Sequence, residues 1–189
     1  MAVWSLVTGS FAPFANVYFV HHLGLALEST GSVFSLSQFV QFVAVLSAPL
    51  FFRYTRLPVG IMVTQLATAV ALACLAGTHT ALYAAWIYWA YMAAQCMNEP
   101  GMYSLLMDSV PVQEHNGASA STFFVSSLSQ LVASTATGVA LVRFGYSSVL
   151  AVTAGLAVVA AVLFRRLPVP RPTPEDGNIV SAVAASVML

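Results

Sequence analysis

The chain has 189 residues, 59% of them hydrophobic and only 6% charged, with six basic and six acidic side chains and a formal net charge of zero. Soluble domains carry about 25% charged residues, so this composition, with a mean hydropathy of +0.86, excludes an ordinary soluble domain and predicts an all-α membrane protein in a lipid bilayer. Lysine is absent and the arginines are scattered, which leaves no basic surface for nucleic acid.

A membrane-crossing helix needs about 20 apolar residues. By that measure six transmembrane helices are predicted, at about 3–23, 32–52, 59–76, 80–107, 117–142 and 148–164. The first has no positively charged leader and no cleavage site, so it reads as a span and not as a signal peptide. It carries Phe14, Asn16, Tyr18 and the pair His21-His22. Neighbouring residues on a helix point about 100° apart, so the two histidines are expected to part, one at the outer mouth and one in the interface, without a shared metal. The second span follows a polar turn at 27–31 and places Ser37, Gln41, Ala44 and Ala48 on one row. The third, introduced by Pro58, reads as apolar all round.

The fourth span is the one that lipid should reject. It holds Tyr83, Trp86, Tyr88, Trp89, Tyr91, Gln95, Asn98 and Glu99, and a break is expected at Pro100-Gly101. A charged group near the bilayer centre costs about 2.5–3.5 kcal/mol on insertion scales, so this helix should face protein or water. Tyr88, Tyr91, Gln95 and Glu99 recur at spacings of three and four, which puts them near one face. Trp86 and Trp89 suit either interfacial anchors or stacking groups. The loop at 108–116 carries Asp108 and Glu114 as loop acids, and Asn116 is expected to cap the fifth helix. On that helix Ala118, Thr122, Ser126, Ser134 and Gly138 form a small-residue row in which Gln130 is the only large member. Gln41 and Gln130 are expected to hydrogen-bond between helices. After a tight turn at 143–146 the sixth span is again apolar. Alternating prolines from Pro168 to Pro174 end regular structure. The expected organisation is a bundle over 1–167 and a flexible cytoplasmic tail over 168–189.

Arg53, Arg56, Arg165, Arg166 and Arg171 fall on one side of the membrane and Arg143 on the other, so both termini are expected in the cytoplasm. The spans repeat in character: polar-lining first and fourth, small-packing second and fifth, lipid-facing third and sixth. That pattern predicts two inverted three-helix repeats, a plan of secondary transporters.

The run Ala48-Pro49-Leu50-Phe51-Phe52-Arg53-Tyr54-Thr55-Arg56 resembles the G-x-L-x-D-R-x-G-R signature of the major facilitator superfamily. Leu50, Arg53 and Arg56 match, whereas Ala48, Phe52 and Thr55 stand in place of Gly, Asp and Gly. The run 111–117, the Ser/Ala-rich helix after it and the stretch 138–146 are similar to the C-terminal half of that family, with His115 where Arg is common. The resemblance covers about 3–166. It implies one six-helix half of a major facilitator fold, alternating access against a second six-helix bundle, and Arg53 and Arg56 in a conformational loop. It also implies an integral protein of a bacterial inner membrane.

Together the residues suggest a small-molecule substrate held by Asn16, Tyr18, His21, Tyr88, Tyr91 and Gln95, aromatic walls with a few polar contacts. Glu99 has two readings, a proton-coupling carboxylate or a structural one near a helix end. No cofactor or metal ligand set is apparent, Cys74 and Cys96 read as small buried hydrophobes, and no Ser-His-Asp, zinc or P-loop pattern points to an enzyme. The alternative is a truncated or accessory membrane protein without transport of its own.

Overall fold

Apolar runs bounded by Gly and Pro punctuate this sequence into helices, and helices are what form. The structure, a computed structural model, describes residues 1–166; the predicted tail at 168–189 lies outside the described residues. Five helical rods follow one another: α1 (Ala2–His22), α2 (Leu27–Tyr54), α3 (Leu57–Ala76), α4 (Ala81–Asp108) and α5 (His115–Arg166). Four of them, all but α4, are long and apolar enough to cross a membrane by length and composition. Polar side chains lower the hydropathy of α4, although its 28 residues would reach about 42 Å.

α1 passes through a 3-10 turn at Ala12–Phe14 and a π segment at Tyr18–His22, and α5 also departs from a simple rod. Its 52 residues would make a straight helix of about 78 Å, against a hydrocarbon core of about 30 Å. Gly145 interrupts it with φ 76° and ψ 174°, a conformation essentially reserved for glycine. The limbs before and after that residue fold back on each other, since Val132, Ala136 and Phe144 line the same hollow as Ser148, Val152 and Leu156.

Several sequence expectations shift. The polar turn at 27–31 is already helix, because α2 begins at Leu27. Asn116 is not a cap: α5 starts one residue earlier, where His115 Nε2 lies 2.9 Å from the Val110 carbonyl. Pro100-Gly101 does not break α4, which runs through to Asp108. A proline inside a helix forfeits one backbone bond and crowds the preceding turn, but neighbouring helices hold this one in register on both sides. The third span is not apolar all round; α3 buries Thr64, Gln65 and Thr68 against its neighbours. The last limb likewise buries a small face, Ala154, Ala157, Ala160 and Ala161, while Val158, Val159 and Val162 stay exposed.

Packing explains where the site sits. α1 lies along α5, α4 lies along both α2 and α3, and α3 also packs on α5. The row on α2 is buried at Ser37, Ala44 and Ala48. α1 and α5 approach so closely that a Cβ at Gly9 would stand 2.7 Å from Gln130 Cα, and Ser134 Oγ donates to the Gly9 carbonyl at 2.9 Å. Small residues permit such backbone approach in membrane helices. The outward faces of α2 and α5 are apolar and exposed, with Phe39, Phe42 and Leu46 on one and Phe123, Phe124 and Leu128 on the other.

Candidate functional site

The polar groups of α4 divide between two tasks. Three of them, Trp89, Cys96 and Asn98, stitch the bundle. Trp89 Nε1 donates to the Val33 carbonyl at 3.0 Å, and Cys96 Sγ donates to Gln41 Oε1 at 3.3 Å, both joining α4 to α2. Trp89 thus ties helices together, while Trp86 is exposed beside it with ring centroids 5.0 Å apart. Thr64 Oγ1 donates to Asn98 Oδ1 at 3.0 Å, joining α4 to α3, and Asn98 Nδ2 donates to Met102 Sδ at 2.9 Å. A hydrogen-bonded pair is how a fully buried amide is accommodated in an apolar interior.

The aromatic residues of α1 and α4 turn inward. Phe11 stands edge-on to Tyr18 at 5.7 Å and to Tyr91 at 5.6 Å, and Phe19 edge-on to Tyr88 at 5.4 Å. Edge-to-face contacts of this kind are favoured by the ring quadrupoles. Tyr18 OH donates to the Leu75 carbonyl at 2.9 Å, which fixes α1 against α3. Tyr18, Tyr88 and Tyr91 therefore share one packed core, with buried Gln95 one turn further along α4. Tyr91 Oη and Gln95 Oε1 are buried and have no partner among the described residues.

Glu99 has the second task. It is exposed on a hollow of about 390 Å³ between α1, α4 and α5. α1 contributes Trp4, Ser5 and Thr8; α4 adds Met102 and Tyr103; α5 supplies Thr122, Ser126, Ser127 and Gln130. Hydroxyls, an amide and one carboxylate thus line this space, with the Ser5 and Thr8 hydroxyls also donating to the Met1 and Ser5 carbonyls at 3.3 and 3.2 Å. The indole Nε1 of Trp4 is buried there and has no hydrogen-bond partner among the described residues. Gln130 lines this hollow, where the sequence suggested an interhelical bond. Asn16 is exposed on α1. His21, also exposed, lies about 20 Å along α1 beyond Thr8, counted at 1.5 Å per residue. At that far end His22, not His21, joins a cluster: its ring lies 5.3 Å from Tyr18, 5.3 Å from Tyr146 and 6.4 Å from His79. The structure therefore brings the three tyrosines together, sets Gln95 near them, and places Glu99, Asn16 and His21 elsewhere.

The residues that sequence reasoning missed are the hydroxyls opposite Glu99. Ser5 and Thr8 lie three apart on α1, and Thr122 and Ser126 four apart on α5. Each pair marks a polar stripe on one face of an apolar helix, which was the available signal.

A family model described as Major Facilitator Superfamily matches residues 1–187. The chain belongs to the major facilitator superfamily. No curated protein matches it. The superfamily consists of solute transporters and not enzymes, and it makes this chain an integral membrane protein in contact with lipid.

Membership gives the α2–α3 connection a context. Arg53 and Arg56 are both exposed there, one in the last turn of α2 and one just before α3. Phe52, standing where the facilitator signature has an acid, packs its ring against two glycines. A Cβ at Gly60 would meet that ring at 2.7 Å, and one at Gly101 would meet it at 2.5 Å. An aromatic ring seated between α3 and α4 occupies the position of a charge.

Proposed function

We propose that this chain is the C-terminal six-helix half of a secondary transporter, working by alternating access against a second six-helix bundle. In this reading α4 is a span, the two limbs of α5 are two further spans, and the six form two inverted three-helix repeats. The pairing of helices supports the repeat. Ser134 on the fifth span bonds to Gly9 on the first, and Cys96 on the fourth bonds to Gln41 on the second. Exchanging the first with the fourth and the second with the fifth maps one contact onto the other, as an inverted repeat requires.

The observation that carries the transport reading is Glu99 in its hydroxyl-lined hollow. An ionisable group within a membrane helix marks a pathway by default. The exposed apolar faces of α2 and α5 supply surface for the second bundle. Glu99 is the proton-coupling group, and a small solute sits against the hollow near the midplane. Gln95, buried one turn from Glu99, adds an amide whose carbonyl oxygen has no partner among the described residues. Asn16 contacts solute further along α1, and His21 lines the outer mouth. Tyr18, Tyr88 and Tyr91 form the wall of the substrate site, held rigid by their mutual packing. Arg53 and Arg56 act in the conformational loop. The bundle lies in a bacterial inner membrane with both termini cytoplasmic.

The test is co-reconstitution of the chain with a partner six-helix bundle in proteoliposomes, followed by uptake of a solute panel under an imposed proton gradient. The expected result is uptake of at least one solute only when both bundles are present. Absence of uptake across partners and panel, with both bundles inserted, overturns the reading.

A further inference from the structure

One hollow lies on the face of α1 opposite Glu99, and a second, beside it, is lined by the first limb of α5 alone. Leu6 and Ser10 of α1 face the first, about 540 Å³, whereas Ser5 and Thr8 face the Glu99 hollow; on a helix these pairs point in opposite directions. The first hollow lies between the limbs of α5. It shares Val132, Ala136, Ala140 and Phe144 with a shallower hollow of about 750 Å³ whose end is Arg143. The two make one continuous groove.

Its chemistry is that of hydrocarbon. Of its five hydroxyls, those of Ser10, Thr135 and Thr153 are already spent on carbonyls of their own helices, at 2.7, 2.9 and 2.8 Å, which leaves Thr137 and Ser148 among an otherwise apolar lining. From Val132 to Phe144 the groove runs about 18 Å at 1.5 Å per residue. One leaflet of the hydrocarbon core is about 15 Å deep. The groove is therefore as long as one acyl chain in its leaflet. At its end Arg143 is exposed, and it is the only arginine between residues 57 and 164. A guanidinium matches phosphate oxygens with paired N–H donors, and basic side chains between transmembrane helices bind anionic head groups.

We propose that the groove running from between the limbs of α5 onto its first limb holds one acyl chain of an anionic phospholipid whose phosphate rests on Arg143. Chain length selects the groove as a lipid slot, and the single cation selects the headgroup.

The full chain is purified in detergent and presented with equal amounts of dioleoyl phosphatidylglycerol and dioleoyl phosphatidylcholine, and native mass spectrometry counts the retained lipid. About a 5-fold preference for phosphatidylglycerol is expected, the effect of one basic residue at a membrane surface. Arg143→Gln should bring the ratio to about one while lipid is still retained. Ala136→Phe places a ring in the groove at an exposed position and should lower retention of both lipids. A wild-type ratio near one overturns the proposal, as does a preference that survives Arg143→Gln. Unchanged retention in Ala136→Phe also overturns it. Arg143 is exposed, so its variant remains informative even if the larger substitution disturbs packing.

Discussion

Gly9→Ala is the sharpest perturbation of the bundle, because what the new methyl meets is backbone. Its Cβ would stand 2.7 Å from Gln130 Cα and 2.9 Å from the Gln130 carbonyl oxygen. Carbon atoms rest at about 3.5–4.0 Å, so α1 and α5 must separate by about 1 Å, since neither atom can rotate away. Overpacking of this kind costs about 1–3 kcal/mol. The same separation stretches the 2.9 Å bond from Ser134 to Gly9, and interhelical bonds in membranes average about 0.6 kcal/mol. Against this, alanine is preferred to glycine within a helix by about 1 kcal/mol. The net expectation is a loss of about 0.6–2.6 kcal/mol. Gly155→Ala is the matched control, since nothing lies within 4 Å of its Cβ; there only the propensity gain remains. Thermal unfolding of the purified chain in one detergent, followed by tryptophan fluorescence, should lower the midpoint for Gly9→Ala and hold or raise it for Gly155→Ala. If both variants shift in the same direction, the close crossing of α1 and α5 is refuted.

Glu99→Gln should abolish the pH dependence of uptake by the assembled transporter; uptake that still follows pH in this variant removes the proton role. Thr64→Val should cost about 1–3 kcal/mol, because it leaves the buried Asn98 carbonyl oxygen unpaired. A double-mutant cycle with Asn98→Leu should show coupling above about 0.5 kcal/mol, and additive losses in unfolding midpoint would count against the bond. Gly145→Val forces a branched residue into φ 76° and should cost about 1–3 kcal/mol, read as a lower unfolding midpoint. An unchanged midpoint would mean that the α5 corner is not held in that conformation.

The sequence located the polar helix but not the whole hollow. Glu99 stood out because lipid penalises it, and the spacing put Tyr88, Tyr91, Gln95 and Glu99 near one face, of which the first three are buried and Glu99 is exposed. What periodicity cannot reveal is which neighbour that face meets. The tyrosines met Phe11 and Phe19 and became core, whereas Glu99, one turn beyond Gln95, reached the edge of α4 where α1 and α5 leave space. The opposing hydroxyls come from Ser5 and Ser126, more than a hundred residues apart, and each alone reads as an ordinary small packing residue. The uninterrupted path of α4 through Pro100 was illegible for a similar reason. Proline predicts a break from local sterics, but tertiary packing decides whether the helix resumes.

Phe52 shows how a departure from a family signature becomes a packing device. Its ring touches the positions where side chains at Gly60 and Gly101 would be, so those glycines are there to admit it. The two clashes differ from the one at Gly9: the obstacle is a side chain, which can be removed. Gly101→Ala alone should destabilise by about 1–3 kcal/mol through overpacking. Phe52→Ala alone should cost less than the 3–5 kcal/mol typical of a fully buried ring, because Phe52 is only half-buried. Combined, the two should be far less harmful than their sum, since the alanine at 101 then fills part of the space the ring vacated. Contacting residues depart from additivity by about 0.5–3 kcal/mol, and a thermal-unfolding cycle over the four proteins resolves that range. Additive losses would mean that the ring does not sit between α3 and α4, and the α2–α3 connection would then need some other anchor.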